Sequence, residues 1–117
     1  MNEYMFLYKG GDPEWMKNAS DEERKTTMEK WSAWMANLKD QDKLSSGGSP
    51  LHFSGKHLTG DGVVTDIAAV ELKEMVTGYS IVRAESYEEA VEIAKACPIF
   101  DYPGCSVDIR EVPQMGG

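Results

Sequence analysis

Both histidines of this 117-residue chain, His52 and His57, lie in one short stretch, LHFSGKHLTGDG at 51–62, and two cysteines, Cys97 and Cys105, lie near its end. Together they make the inventory of a Cys₂His₂ metal site. The spacing does not match a zinc pattern, and no helical i, i+4 pair or third neighbouring ligand supports one. No metal site is expected, and no cofactor. On one extended strand, residues five apart point to opposite faces, so the histidines meet only if a turn at Ser54–Gly55 folds the segment back. As a general base, His52 is the best candidate the chain owns, because the imidazole titrates near neutrality. Asp66 is the carboxylate that would sit beside it. Cys97 falls at a helix C-terminus, where the dipole is negative, which argues for a packed thiol rather than a reactive thiolate.

The elements that must position these groups are legible from periodicity. EYMFLYK at 3–9 reads as a strand with Tyr4, Phe6 and Tyr8 on one face and Met5 and Leu7 on the other. Both faces are apolar, which predicts a strand covered on both sides. GGDP at 10–13 is a turn signal. SDEE at 20–23 is a capping box opening a helix over 21–43 with a stripe of Met28, Trp31, Trp34, Met35 and Leu38. SSGGSP at 45–50 is expected to break it. Residues 51–59 and 61–67 read as strand-like, and AAVEL further on offers another short strand. GYSIVRAES at 78–86 reads as a strand with Tyr79 and Ile81 on one face, Val82 and Ala84 on the other. SYEE at 86–89 is a second capping box, closed by Glu89. It opens a helix over 86–96 whose stripe is Tyr87, Ala90, Val91, Ala94 and Cys97, and Pro98 ends it. SVDIREV is the last strand.

This order predicts a single α+β domain over 1–117, a ferredoxin-like split βαβ with an antiparallel sheet and two helices on one face. The other sheet face then has no cover within the chain, and a second copy packed sheet to sheet is the economical solution. With a net charge of −8 and no basic cluster, nucleic acid is excluded as a partner. No apolar run reaches the roughly 20 residues of a membrane span. The opening MNEYMF lacks a basic n-region, which predicts a cytoplasmic protein with reduced thiols.

With these elements in place, the chain resembles the YCII-related family, also called the DGPF-motif family. The residues that carry the resemblance are the opening YMFLY, the two-tryptophan helix followed by KLSSGGSPL, Asp66, and ELKEMVTGYSIVRAESYEEAVEIAKACP, closed by SVDIREV. The resemblance implies a dimeric α/β barrel with a cleft between helices and sheet. Some members carry a histidine on the first helix and an aspartate before the proline after the second, a pair suited to proton transfer. Those places fall at Trp31 and Cys97 here, and Ile67, Ala68 and Ala69 stand where the motif's Gly-Pro-Phe would be. The expected function is a small-molecule-binding homodimer whose ligand-binding residues are Trp31, Trp34, Asp66, Tyr79 and Cys97. A lyase or isomerase using His52 as base, and a structural or regulatory dimer contacting another protein, are the alternatives.

Overall fold

A computed structural model describes residues 1–67 and 74–114, apart from the Met16 side chain. The elements are β1 (Asn2–Gly10), α1 (Pro13–Asn18), α2 (Asp21–Asp40), β2 (Leu44–Pro50), β3 (Lys56–Leu58), β4 (Val64–Asp66), β5 (Val76–Ala84), α3 (Tyr87–Lys95) and β6 (Cys105–Val112), with a 3₁₀ turn at Pro98–Asp101. Four strands form an antiparallel sheet in the order β2-β5-β1-β6, and β3 and β4 make a separate hairpin. The two halves, β1–α2–β2 and β5–α3–β6, interleave, which is the split βαβ arrangement of the ferredoxin-like fold.

The alternation of β1 decides the layering. Tyr4, Phe6 and Tyr8 are buried with Val82, Ala84, Trp34, Leu38, Ala90, Ala94, Cys97 and Ile99. Met5 and Leu7 lie on the other face, opposite Ile81 and Tyr79 of β5. α2 and α3 therefore serve one face.

Local chemistry explains the helix ends. Ser20 accepts from the Glu23 amide, and Glu23 returns the bond, as the capping box requires. At the other end Asp42 takes a left-handed φ of 57°. The Lys43 and Asp42 amides then donate to the Leu38 and Lys39 carbonyls, a Schellman closure with aspartate in the glycine position. The helix thus stops before SSGGSP, and that segment is not a turn. It is β2, paired with β5 through two register shifts. Gly48 makes this pairing possible: at φ +71° a Cβ there would lie 1.7 Å from the Tyr79 carbonyl oxygen.

Other expectations are corrected in detail. GGDP leads into α1, with Asp12 as cap and Pro13 at the first helical position. Met28 is 65% exposed, so the α2 stripe starts later than its periodicity suggests. Tyr87 and Val91 are also exposed. Ser86 caps α3, but Glu89 does not close a box; its carboxylate pairs with Lys43 at 3.5 Å. Of the stretch AAVEL, Ala68, Ala69, Val70, Glu71 and Leu72 lie outside the described residues. No described helix is long and apolar enough to cross a membrane.

Candidate functional site

Among the described residues, the polar chemistry inside the protein gathers on the helix face of the sheet. The Tyr8 hydroxyl donates to Ser80 Oγ at 2.9 Å, and Ser80 donates onward to the Gly47 carbonyl at 3.0 Å. Cys97 Sγ lies 3.8 Å from the Tyr8 oxygen. A carbonyl can only accept, so Gly47 fixes the direction of the whole chain. Every proton points toward β2, and the Tyr8 oxygen keeps its acceptor side toward Cys97. Tyr8 and Ser80 are 5% and 0% exposed, so this polar chain runs through the core, where each unmade bond would be costly.

Trp31 lies over it. Its indole packs edge-on to Tyr8, with ring centroids 5.5 Å apart, and to Trp34 at 5.8 Å. Trp31 Nε1 donates to the Tyr102 hydroxyl at 3.1 Å. One residue earlier on each side, Lys30 pairs with Asp101 at 2.9 Å. Trp15 of α1 stacks edge-on against Tyr102 at 5.3 Å. These contacts latch α1 and α2 to the 3₁₀ turn. Just outside the latch is an open concavity of about 490 Å³ lined by Trp15, Thr27, Lys30 and Asp101 among others, within the usual size range for small-molecule sites.

The site is electrically quiet inside. Burial pushes the Cys97 thiol up to about 11 and raises the Tyr8 and Tyr102 phenols. All three are neutral at neutral pH, so they offer hydrogen bonds and no base. Unfolding releases the Cys97 thiol to its ordinary value of 9.0. The unfolded chain then loses that proton before the native one does, so native stability falls as pH rises from about 9 to about 11. Thermal melts should show this decline, and Cys97→Ala should reduce it.

The sequence-predicted site residues separate into three groups. Trp31, Trp34 and Cys97 come together, and Trp31 and Cys97 both rest on Tyr8. The two places where the resemblance expects a histidine and an aspartate are thus neighbours in space. Trp34 is buried and donates to the Ile93 carbonyl at 3.4 Å, so it is packing beneath the site rather than its wall. Tyr79 stands apart: it lies opposite Leu7, on the sheet face away from the helices, and cannot line the same cleft. The third group is at the hairpin. Asp66 is exposed on β4 and pairs with Lys56, beside a second open concavity lined by Phe53 and Ile67. His57, on β3, faces solvent opposite Thr65, and His52 is exposed in the loop after β2. Among the described residues no three His, Cys, Asp or Glu side chains converge on a possible metal site. Both cysteines are free thiols.

Sequence reasoning passed over Tyr8, Ser80, Trp15 and Tyr102. One signal was available: Ser80 is a hydroxyl at a buried register position between Gly78 and Val82, and such a group demands partners.

The comparisons with known proteins agree with this fold. No curated protein matches the chain. Among solved structures it is similar to a 5-chloro-2-hydroxyhydroquinone dehydrochlorinase from Burkholderia phenoliruptrix, in complex with 2,5-dihydroxybenzoquinone. The identity is 18%, with 94% of this chain and 93% of that one covered at a TM-score of 0.54. At that identity the likeness concerns the fold. The YCII-related domain model matches residues 4–113, nearly the whole length, and the chain belongs to that family.

Proposed function

We propose that this protein is a homodimer, packed through the open face of its sheet, that binds a small, flat organic molecule in the concavity just outside the Trp31–Tyr102 latch. The observation that carries the ligand site is the concavity of about 490 Å³ beside the latch, walled by Trp15, which packs on Tyr102. Trp15 supplies a flat wall of the concavity, braced by Tyr102 and through it by Trp31, and Lys30 and Asp101 supply part of its polar rim. The quinone held by the dehydrochlorinase is a molecule of fitting shape. The neutrality of Tyr8 and Cys97 favours binding over proton transfer. The reading with His52 as base has less support, since the ring is exposed and Asp66 is engaged with Lys56.

The dimer rests on the open sheet face. Met5, Leu7, Tyr79 and Ile81 form its centre on the two middle strands. Lys9 and Asp108, paired at 3.1 Å, and Glu3, bonded to Ser45, lie at its margin. An apolar centre with a polar rim is the anatomy of a protein interface. Three basic and two acidic side chains (Lys9, Arg83, Arg110; Glu3, Asp108) share this face, in a chain of net charge −8, so two copies meet there without local repulsion.

The ligand reading is tested by thermal shift and fluorescence titration with 2,5-dihydroxybenzoquinone and hydroquinone as probes. A bound probe raises the melting temperature. Trp31→Ala should weaken binding by about tenfold or more through lost stacking, while Trp31→Phe keeps much of it. No stabilisation by either probe or by a wider set of flat aromatics, or an unchanged affinity in Trp31→Ala, would contradict the reading.

A further inference from the structure

The sheet has two edges, and they are built differently. The β2 edge is broken by two register shifts, a left-handed Gly48 and Pro50, devices that keep other strands away. The β6 edge has none of these: its register with β1 runs from Val112 to Cys105 without a shift.

Which groups of β6 face outward follows from the ladder. Thr77 Oγ1 donates to the Tyr8 and Gly10 carbonyls, and the Gly10 amide donates to Met75. The even-numbered groups of β1 therefore face β5 and the odd-numbered ones face β6. Met5 and Leu7, opposite Arg110 and Asp108, supply the bonded pairs. This leaves the amides and carbonyls of Val107, Ile109 and Glu111 pointing out. The Glu111 amide confirms it, because it donates to the Tyr87 hydroxyl at 2.9 Å. Among the described residues that hydroxyl is the one hydrogen-bond partner on this side.

We infer that β6 pairs antiparallel with β6 of a second copy, about a two-fold axis at Ile109. The charges select this register. Centred on Ile109, each Asp108 faces the Arg110 of the other copy. Centred one residue earlier or later, Asp108 meets Asp108 or Arg110 meets Arg110, and like charges directly opposite are unfavourable. Pro113 closes the strand against registers centred beyond 110, and a register centred on Val107 sets Asp108 opposite Ser106 and forms no ion pair. The Ile109 register also matches the hydrogen bonding. Ile109 exchanges two bonds with its symmetry mate, and each Val107 amide donates to a Glu111 carbonyl. The Val107 carbonyl of the other copy then takes the Glu111 amide in place of the Tyr87 hydroxyl. This edge contact uses the outward backbone groups of β6, which the face contact proposed above does not, while the Asp108 and Arg110 side chains border both.

Residue-resolved amide exchange of the full chain is the test. At about 1 mM the Val107 and Ile109 amides should exchange as slowly as Asp108 and Arg110, within about tenfold, and speed up on dilution. Arg110→Asp and Asp108→Arg should each abolish that protection alone, and an equimolar mixture of the two variants should restore it, since their charges complement. Exchange at Val107 and Ile109 near free-peptide rates at about 1 mM would overturn the inference. So would protection that neither dilution nor Arg110→Asp changes, or a mixture that behaves as the sum of its parts.

Discussion

Replacing Trp34 with alanine is expected to destabilise the protein by about 3–5 kcal/mol, the usual cost of deleting a buried aromatic ring. Trp34 is 7% exposed. Its ring lies 6.4 Å from Phe6 of the central strand and 5.8 Å from Trp31, and its indole nitrogen reaches the Ile93 carbonyl of α3. One side chain thus joins α2, β1 and α3. Its removal opens a cavity at their junction and leaves a carbonyl without that donor. Trp34→Phe retains most of the packing and loses the donor, so it should cost about 1–2 kcal/mol. Chemical denaturation of the three proteins checks this order. A Trp34→Ala loss below about 1 kcal/mol would mean that the ring does not hold the helix layer on the sheet.

The second large effect concerns association. Ile81→Asp should convert the proposed sheet-face dimer to a monomer at micromolar concentration, raising the dissociation constant by about a hundredfold or more. Ile81 lies beside Met5 at the centre of the open sheet face. A two-fold interface there would bury two new carboxylates without partners, and burial of unpaired charge is among the costliest changes known. Sedimentation of the purified variant, with circular dichroism to verify its fold, gives the answer. A folded Ile81→Asp protein that stays dimeric would place the dimer contact elsewhere on the molecule. A wild-type monomer at these concentrations would remove the sheet-face dimer altogether.

Much of this architecture was legible in the residues. The two-faced pattern of 3–9 correctly assigns Tyr4, Phe6 and Tyr8 to one side and Met5 and Leu7 to the other. The capping serines locate both long helices, because a hydroxyl before an acidic first turn is a strong local signal. Segment 45–50 was not legible. Its serines, glycines and proline have turn chemistry, yet it pairs with β5, and strand formation at an edge is decided by the neighbour rather than by propensity.

The candidate site was half legible for the same kind of reason. Trp31 and Cys97 were found by their helical spacing and by family resemblance. Tyr79 is expected at the cleft edge with Trp31 and Trp34. The pairing of Tyr8 with Gly78 puts it on the opposite face, and that register is a long-range property no local window contains. Ser80 passed unnoticed because its hydroxyl matters only once Tyr8 and Gly47 arrive from two other strands. His52 drew attention by its chemistry alone, and its loop leaves it in solvent.

The most direct measurement is the amide and indole spectrum of the nitrogen-15-labelled protein during titration with 2,5-dihydroxybenzoquinone or hydroquinone. A ligand seated against Trp15 and the latch must disturb the Trp31 Nε1–H bond to Tyr102. The account predicts that the Trp31 indole resonance moves most, together with the amides of Asp101 and Tyr102, in a saturable way. Saturable binding that leaves the Trp31 indole unmoved while signals elsewhere shift would contradict it.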